Sequence, residues 1–196
     1  MSHVKAVLFE RDGVLVEDVP DNADPGRIRP VAGAREAVGL LRLHGISTGV
    51  LTDQPAVARG LLSDADVRRV DRHVDDLLGP FDVWGVCPHG PDDGCRCRAP
   101  EPGLILWAAG RVCTAPADCV VVGDLGAHVE AARRAGGHGI LVPSDRTPQR
   151  EATRADHVAP DVLTAVRALL TGPPRGRVLV DERPIEAAYD TGEGPG

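Results

Sequence analysis

The 196-residue sequence contains few aromatic residues, a single lysine and no long apolar run. Aromatic residues make up 3% of the chain while hydrophobic residues make up 42%, so the core has to consist mainly of Val, Leu and Ala. Lysine occurs only at Lys5, and the other basic residues are arginines. No apolar run is long enough to span a bilayer, and the run between Lys5 and Glu10 is too short for a signal peptide. We therefore expect a cytoplasmic protein with no membrane partner.

The net charge and one missing motif argue against two further classes of protein. The formal net charge of −7 argues against nucleic acid as a main partner. No G-x-G-x-x-G follows the first apolar segment, which disfavours a dinucleotide-binding oxidoreductase. Gly and Pro become dense after Thr171, so we divide the chain into one domain, 1–171, and a tail, 172–196, that could dock through 178–180.

Short apolar segments alternate with helical patterns along the domain. The predicted strands cover 4–9, 46–51, 82–86, 119–122 and 139–142, and the predicted helices cover 33–43, 63–78, 103–110, 129–135 and 161–170. Such alternation is typical of a parallel sheet with right-handed crossovers. The predicted fold class is therefore α/β, a single Rossmann-like domain whose parallel sheet is flanked by helices.

Polar residues follow three of the predicted strands. Glu10 and Asp12 follow the first strand, Thr52 and Asp53 follow the second, and Asp124 follows the fourth. In a parallel sheet these carboxyl ends converge on one crevice, where ligands bind. Acids at a turn are also compatible with solvated loops. Several acids with few basic neighbours favour a divalent cation, and their oxygen atoms suit Mg²⁺.

A cysteine- and histidine-bearing segment, the zinc loop 87–97, interrupts the pattern. Its candidate ligands are Cys87, His89, Cys95 and Cys97, spaced as C-x-H, five residues, then C-x-C. Three thiolates and one imidazole suit a structural zinc site, and Pro, Gly, Asp and Arg between them cannot build a core. A disulfide pair or unpaired thiols are the alternatives, and a cytosolic chain disfavours the disulfide.

Four segments together resemble a known group. F-E-R-D-G-V-L, V-L-T-D-Q, C-R-C-R-A-P-E-P-G and V-V-V-G-D-L-G-A-H are similar to the motifs of the haloacid dehalogenase (HAD) superfamily of phosphatases. Within it, the chain looks like the zinc-bearing branch that removes the 7-phosphate of D-glycero-D-manno-heptose 1,7-bisphosphate, with histidinol-phosphate phosphatases as relatives. The resemblance covers residues 4–143. It implies no large cap domain, structural zinc, catalytic Mg²⁺ and a small phosphorylated sugar as substrate.

The resemblance also implies roles for individual residues. Glu10 stands at the nucleophile position, and Asp12 would be the general acid and base. The implied substrate-binding residues are Thr52, Asp53 and Arg98, and the implied Mg²⁺ ligands are Glu10, Asp12 and Asp124.

Four positions depart from the family pattern. Glu10 stands where the family has the nucleophilic Asp, and Ala99 stands where it has the loop Lys. Asp53 stands in place of an Asn, and His128 stands in place of a second acid. One extra methylene moves the Glu10 carboxylate by about an ångström, which can cost on the order of a hundredfold in rate. No other lysine can substitute, since Lys5 starts the first strand ~13 Å from its catalytic end. An arginine such as Arg98 would have to serve.

These departures leave two hypotheses open. The site carries about one more negative charge than its relatives, which opposes a phosphate dianion by roughly 3 kcal/mol. The first hypothesis is a weak Mg²⁺-dependent HAD-type phosphatase, expected to be a monomer, acting on a sugar phosphate. The second is a catalytically inactive pseudophosphatase that binds a ligand or a protein partner. We expect His128, Arg11, Arg133 and Arg134 to be solvated surface residues.

Overall fold

A computed structural model describes residues 4–171; residues 1–3 and the predicted tail 172–196, with its 178–180 segment, lie outside the described residues. The strands are β1 (Ala6–Glu10), β2 (Ser47–Asp53), β3 (Val83–Cys87), β4 (Cys119–Gly123) and β5 (His138–Leu141). The helices are α1 (Ala34–Leu43), α2 (Pro55–Ala58), α3 (Asp64–Leu78), α4 (Gly103–Arg111), α5 (Gly126–Ala135), α6 (Gln149–Arg154) and α7 (Val162–Thr171).

All five strands are parallel and lie in the order β3-β2-β1-β4-β5. The chain moves outward from β1 through β2 to β3, then returns past β1 to form β4 on its other side. The strand order therefore reverses between β1 and β4. In open α/β sheets this reversal creates a crevice at the carboxyl ends of the two strands, where ligands bind.

Small aliphatic side chains fill both faces of the sheet. One cluster packs Val7 and Phe9 of β1 against apolar residues of α1, α3 and α7. The other packs Leu8 of β1 and Val121 of β4 against α4 and α5. All five residues of β1 and all five of β4 are buried, as expected for strands covered on both faces.

The predicted parallel α/β sheet flanked by helices is confirmed. Helix α3 begins at the predicted cap, where the Ser63 hydroxyl accepts from the Asp66 N–H and the Asp66 carboxylate accepts from the Ser63 N–H. Helices α2 and α6 were not predicted. Helix α2 has only four residues and α6 buries none, so neither carries the apolar periodicity by which helices are recognised.

The longest connections without an α-helix or strand are residues 11–33 and 88–102. The first of them contains a short 3₁₀ helix, Pro25–Arg27. Both connections leave the carboxyl edge of the sheet and border the crevice. Among residues 4–171, no helix has the length and apolarity needed to cross a bilayer.

Candidate active site

The turn after β1 packs directly against the end of β4. Gly13 has a φ of +84°, which is open to glycine but strained for other residues. A Cβ at this position would lie 2.5 Å from Asp124 Oδ2. Gly13 therefore permits both the tight turn and the close approach that bring Asp12 and Asp124 to one crevice.

His128 lies between the two buried acids of this crevice. Its Nε2 is 3.4 Å from Glu10 Oε2 and its Nδ1 is 3.4 Å from Asp124 Oδ1. The imidazole is buried, so the prediction that His128 is a surface residue is wrong. Helix α5 begins only three residues after β4 ends, and its first turn therefore directs this side chain into the crevice.

Burial dominates the electrostatics of Glu10. It raises the pKa of Glu10 to about 8, against the attraction of His128 and with help from the neighbouring acids. Burial lowers the pKa of His128, but Glu10 and Asp124 outweigh it and raise that pKa overall. The raised pKa favours the protonated form of Glu10, whereas a nucleophile requires the carboxylate.

Asp12 is held by two neighbours. Arg11 donates to it twice, from Nε to Oδ1 at 3.1 Å and from Nη2 to Oδ2 at 2.8 Å. Gln54 Nε2 donates to Asp12 Oδ2 at 3.0 Å and to Thr52 Oγ1 at 2.9 Å. Arg11 is 3% exposed and also pairs with Asp71 of α3 at 2.6 Å. The prediction that Arg11 is solvated is therefore wrong, because two buried acids enclose it.

The predicted substrate-binding residues lie on the β2 side of the crevice. Asp53 Oδ2 is 3.9 Å from Arg98 Nη1, and that nitrogen is buried with no hydrogen-bond partner among the described residues. Burial raises the pKa of Asp53, although Arg98 and His128 oppose the shift. Ala99 and Glu10 line a cavity of about 30 Å³ at the position predicted for the missing lysine. Arg98 can therefore offer donors to an anion here, while Ala99 offers no charge.

Arg146, which the sequence patterns did not single out, contacts two of the acids. Its Nη2 donates to the Asp12 main-chain oxygen at 2.7 Å and lies 2.8 Å from Asp124 Oδ2 in an ion pair. Its Nε donates to the same Asp124 oxygen at 3.0 Å, and its Nη1 lies 3.6 Å from Asp18. The residue belongs to a loop after β5 with no apolar periodicity, so only the three-dimensional arrangement reveals it.

These contacts decide whether the crevice can hold Mg²⁺. Glu10 and Asp124 both face His128, the Asp12 main-chain oxygen and Asp124 share Arg146, and Asp124 Oδ1 has no hydrogen-bond partner in the described structure. However, Arg146 bridges Asp124 and the Asp12 carbonyl, and His128 faces the remaining oxygen of Asp124. A small ion that needs near-octahedral oxygen ligands would meet two basic side chains instead. The residues as they stand do not fit Mg²⁺.

The four predicted zinc ligands lie together beside β3. One ligand atom from each of Cys87, His89, Cys95 and Cys97 falls within 4.8 Å of all the others. The Cys87 and Cys95 sulfurs are 3.8 Å apart, close to the edge of about 3.8 Å of a tetrahedron with zinc–sulfur bonds near 2.3 Å. The cluster could hold a metal ion. Because Cys87 lies opposite Asp53 in the sheet and Cys97 precedes Arg98, it also positions the β2 side of the crevice.

Known proteins similar to this chain identify its family. A HAD-hydrolase-like family model matches residues 96–165. D-glycero-β-D-manno-heptose-1,7-bisphosphate 7-phosphatase from Bordetella bronchiseptica is 32% identical over 138 residues, which cover 68% of this chain and 77% of the relative. This chain belongs to the heptose 1,7-bisphosphate phosphatase family of HAD hydrolases.

One further member of the heptose phosphatase family and one solved structure are similar to the chain. The D-glycero-α-D-manno-heptose-1,7-bisphosphate 7-phosphatase of Mycobacterium tuberculosis is 33% identical over 129 residues, 62% of this chain and 68% of that protein. A crystal structure of the B. bronchiseptica phosphatase, complexed with magnesium and phosphate, superposes with a TM-score of 0.75 at 28% identity, covering 85% of this chain and 98% of the other. Family members named for either anomer of the heptose thus match.

Proposed function

We propose that this protein binds a small phosphorylated sugar, such as D-glycero-D-manno-heptose 1,7-bisphosphate, in the β1/β4 crevice and hydrolyses its phosphoester slowly. The observation that carries the proposal is the meeting of Glu10, Asp12 and Thr52 at the switch point of the sheet. Similarity to the heptose bisphosphate phosphatases supports the choice of substrate.

In the proposed reaction, the Thr52 hydroxyl and the Arg98 guanidinium hold the phosphoryl oxygens. The carboxylate of Glu10 attacks phosphorus while the bond to the sugar oxygen breaks, and Asp12 supplies the proton to that oxygen. Water, deprotonated by Asp12, then attacks phosphorus and releases Glu10 and inorganic phosphate. No step uses Mg²⁺, because the acids that would hold the ion face Arg146 and His128.

Two features of the crevice make this reaction slow. The pKa of Glu10, raised to about 8 by burial, lowers the fraction of the side chain that is ionised, and therefore nucleophilic, at pH 7. Ala99 supplies no positive charge to the phosphoryl group, and Arg98 is already directed towards Asp53. The rate should therefore rise with pH as Glu10 loses its proton.

A second candidate is a pseudophosphatase that binds the sugar phosphate, or a protein partner, without turnover. It is favoured by the contacts of Asp12, whose two oxygens accept three hydrogen bonds from Arg11 and Gln54. An acid held in this way has to break such a contact before it exchanges a proton with substrate or water.

We also propose that Cys87, His89, Cys95 and Cys97 hold a structural zinc ion. Their spacing and the close approach of their ligand atoms support the assignment. When bound, zinc would fix a loop whose residues between the ligands pack little apolar surface. Monomeric state and cytoplasmic location stay predictions.

The test is phosphate release from both anomers of heptose 1,7-bisphosphate and from a panel of sugar phosphates. Native protein is compared with Glu10→Gln, with the double variant Glu10→Asp/Ala99→Lys, and with Glu36→Gln as a control on the exposed face of α1. We expect slow release that Glu10→Gln abolishes, that the double variant raises at least about tenfold, and that Glu36→Gln leaves unchanged.

Native protein that releases no phosphate from any member of the panel would contradict the enzymatic proposal. If the double variant is then active, the pseudophosphatase proposal is supported. Turnover that survives Glu10→Gln would show that another group is the nucleophile.

A further inference from the structure

The contacts of Arg146 leave little room for a metal ion between Asp12 and Asp124. Its Nη2 lies 2.7 Å from the Asp12 main-chain oxygen and 2.8 Å from Asp124 Oδ2. A Mg²⁺ ion bound to the same oxygens would lie at about 2.1 Å from each. The guanidinium and the ion would therefore compete for the same space and the same lone pairs.

The loop that carries Arg146 is fastened to Asp124 by several hydrogen bonds. The Ser144 hydroxyl donates to Asp124 Oδ2 at 2.7 Å and accepts from the Arg146 N–H at 3.2 Å. The Thr147 hydroxyl donates to the Asp124 main-chain oxygen at 2.5 Å and accepts from the Ser144 N–H at 2.8 Å. The position of the guanidinium is thus determined by its own loop.

The acids of the crevice are already paired with basic side chains of the chain. Arg11 pairs with Asp12, Arg146 with Asp124 and Arg98 with Asp53. The remaining acid, Glu10, lies against His128. A divalent ion bound at Asp124 would also lie close to the Arg146 guanidinium, and these positive charges repel each other.

We propose that Arg146 is the built-in cation of the Asp12/Asp124 pair, and that the crevice therefore accepts a phosphate-bearing ligand without Mg²⁺. The proposal rests on the proposed function only for the class of ligand. Arg146 acts here as a positioning residue: it holds Asp124 and the turn at Asp12 in place, as a bound ion would. It also borders a groove of about 570 Å³, lined in part by Gly13, Asp18 and Asp161, through which solvent and ions can reach it.

Metal binding tests the proposal independently of turnover. Mn²⁺, a paramagnetic substitute for Mg²⁺, is titrated into zinc-loaded, full-length protein, and bound ion is measured by loss of the free-ion electron paramagnetic resonance signal. The proteins are native, Arg146→Ala, Arg146→Met, which keeps an apolar stem, and Arg150→Ala, which removes a nearby exposed arginine.

We expect no Mn²⁺ binding at millimolar concentration in the native protein or in Arg150→Ala. Both Arg146 variants should bind at least about tenfold more tightly, because removal of the guanidinium frees the Asp12 main-chain oxygen and one side of the buried Asp124 carboxylate for the ion. Addition of Asp124→Asn should abolish this new binding. Native protein that binds Mn²⁺ as tightly as the Arg146 variants would overturn the proposal, and so would Arg146 variants that fold but bind none.

Inorganic phosphate separates this proposal from the proposed function. Phosphate should raise the melting temperature of native protein equally with and without millimolar Mg²⁺, whereas Arg146→Ala should respond only when Mg²⁺ is present. A native response that requires Mg²⁺ would overturn the proposal. A native protein that never responds to phosphate contradicts the proposed function, while the Mn²⁺ titration still decides the role of Arg146.

Discussion

Arg11, Arg98 and Arg146 each form an ion pair with an acid of the crevice, and they differ in how completely water is excluded from the side chain. The Arg11 side chain is 4% exposed and lies between Asp12 and Asp71, while the Arg146 side chain is 34% exposed. Breaking an enclosed pair leaves a charge without solvent or partner, so its effect on stability is larger. We therefore expect the contribution of each arginine to the free energy of unfolding to increase with the burial of its side chain.

The Arg11–Asp71 pair can be tested with Asp71→Asn. Asp12 still pairs with Arg11 in this variant, so we expect a loss of about 2 kcal/mol in the free energy of unfolding, less than for a fully isolated buried charge. The measurement is urea-induced unfolding of the variant and of Asp76→Asn, an exposed change on the same helix. Equal stability of the two variants would show that Asp71 does not stabilise Arg11.

At the scale of elements, the ends of strands were predictable because a buried parallel strand is an almost unbroken apolar run. The sequence therefore located Glu10, Thr52 and Asp124 at one sheet edge, and the spacing of the cysteines located a cluster that could hold a metal ion. The environments of Arg11, His128 and Arg146 were not predictable. Each depends on a partner from a distant segment or on the direction of a helix turn, which local patterns do not encode.

The zinc loop connects two elements of the site, so loss of metal should affect both stability and binding. We expect about one zinc ion per native chain, and loss of zinc with a fall of several degrees in melting temperature for Cys95→Ser. Phosphate affinity should also fall, because Arg98 directly follows the ligand Cys97. Elemental analysis measures the zinc content, and thermal unfolding with and without phosphate measures the melting temperature and the response to phosphate.

Cys113→Ser is the matched control, since Cys113 is an exposed free cysteine outside the cluster. It should retain both zinc and stability. Zinc-free native protein purified from zinc-supplemented culture would contradict the structural-zinc proposal, as would a Cys95→Ser variant that retains the metal.

At the scale of the whole molecule, β1 and β4 contribute the centre of the core, and the buried contact between Glu10 at the end of β1 and His128 in the first turn of α5 lies beside them. Ionisation at this contact is therefore linked to the stability of the complete fold. Glu10 is 7% exposed and its pKa rises from 4.5 to about 8, and the pKa of His128 also rises. Both shifts make the folded protein bind more protons than the unfolded chain.

Stability should consequently fall as pH rises. The contribution of Glu10 is fully present below its unfolded pKa near 4.5 and is lost as pH increases through its folded pKa of about 8. The pKa of His128 also shifts upward, through the same contact with Glu10 and through Asp124, so it does not reverse this trend. The free energy of unfolding, measured with urea at intervals from about pH 5 to 9, should decline by several kcal/mol.

Glu10→Gln keeps the size of the side chain and removes its titration, so its stability should depend much less on pH than that of native protein. Glu36→Gln, on the exposed face of α1, should reproduce the native curve. The opposite slope in native protein, with stability rising between pH 5 and 8, would mean that Glu10 is ionised in the fold. It would then be available as a nucleophile at neutral pH, and the slow turnover proposed for this crevice would need another cause, such as the missing charge at Ala99.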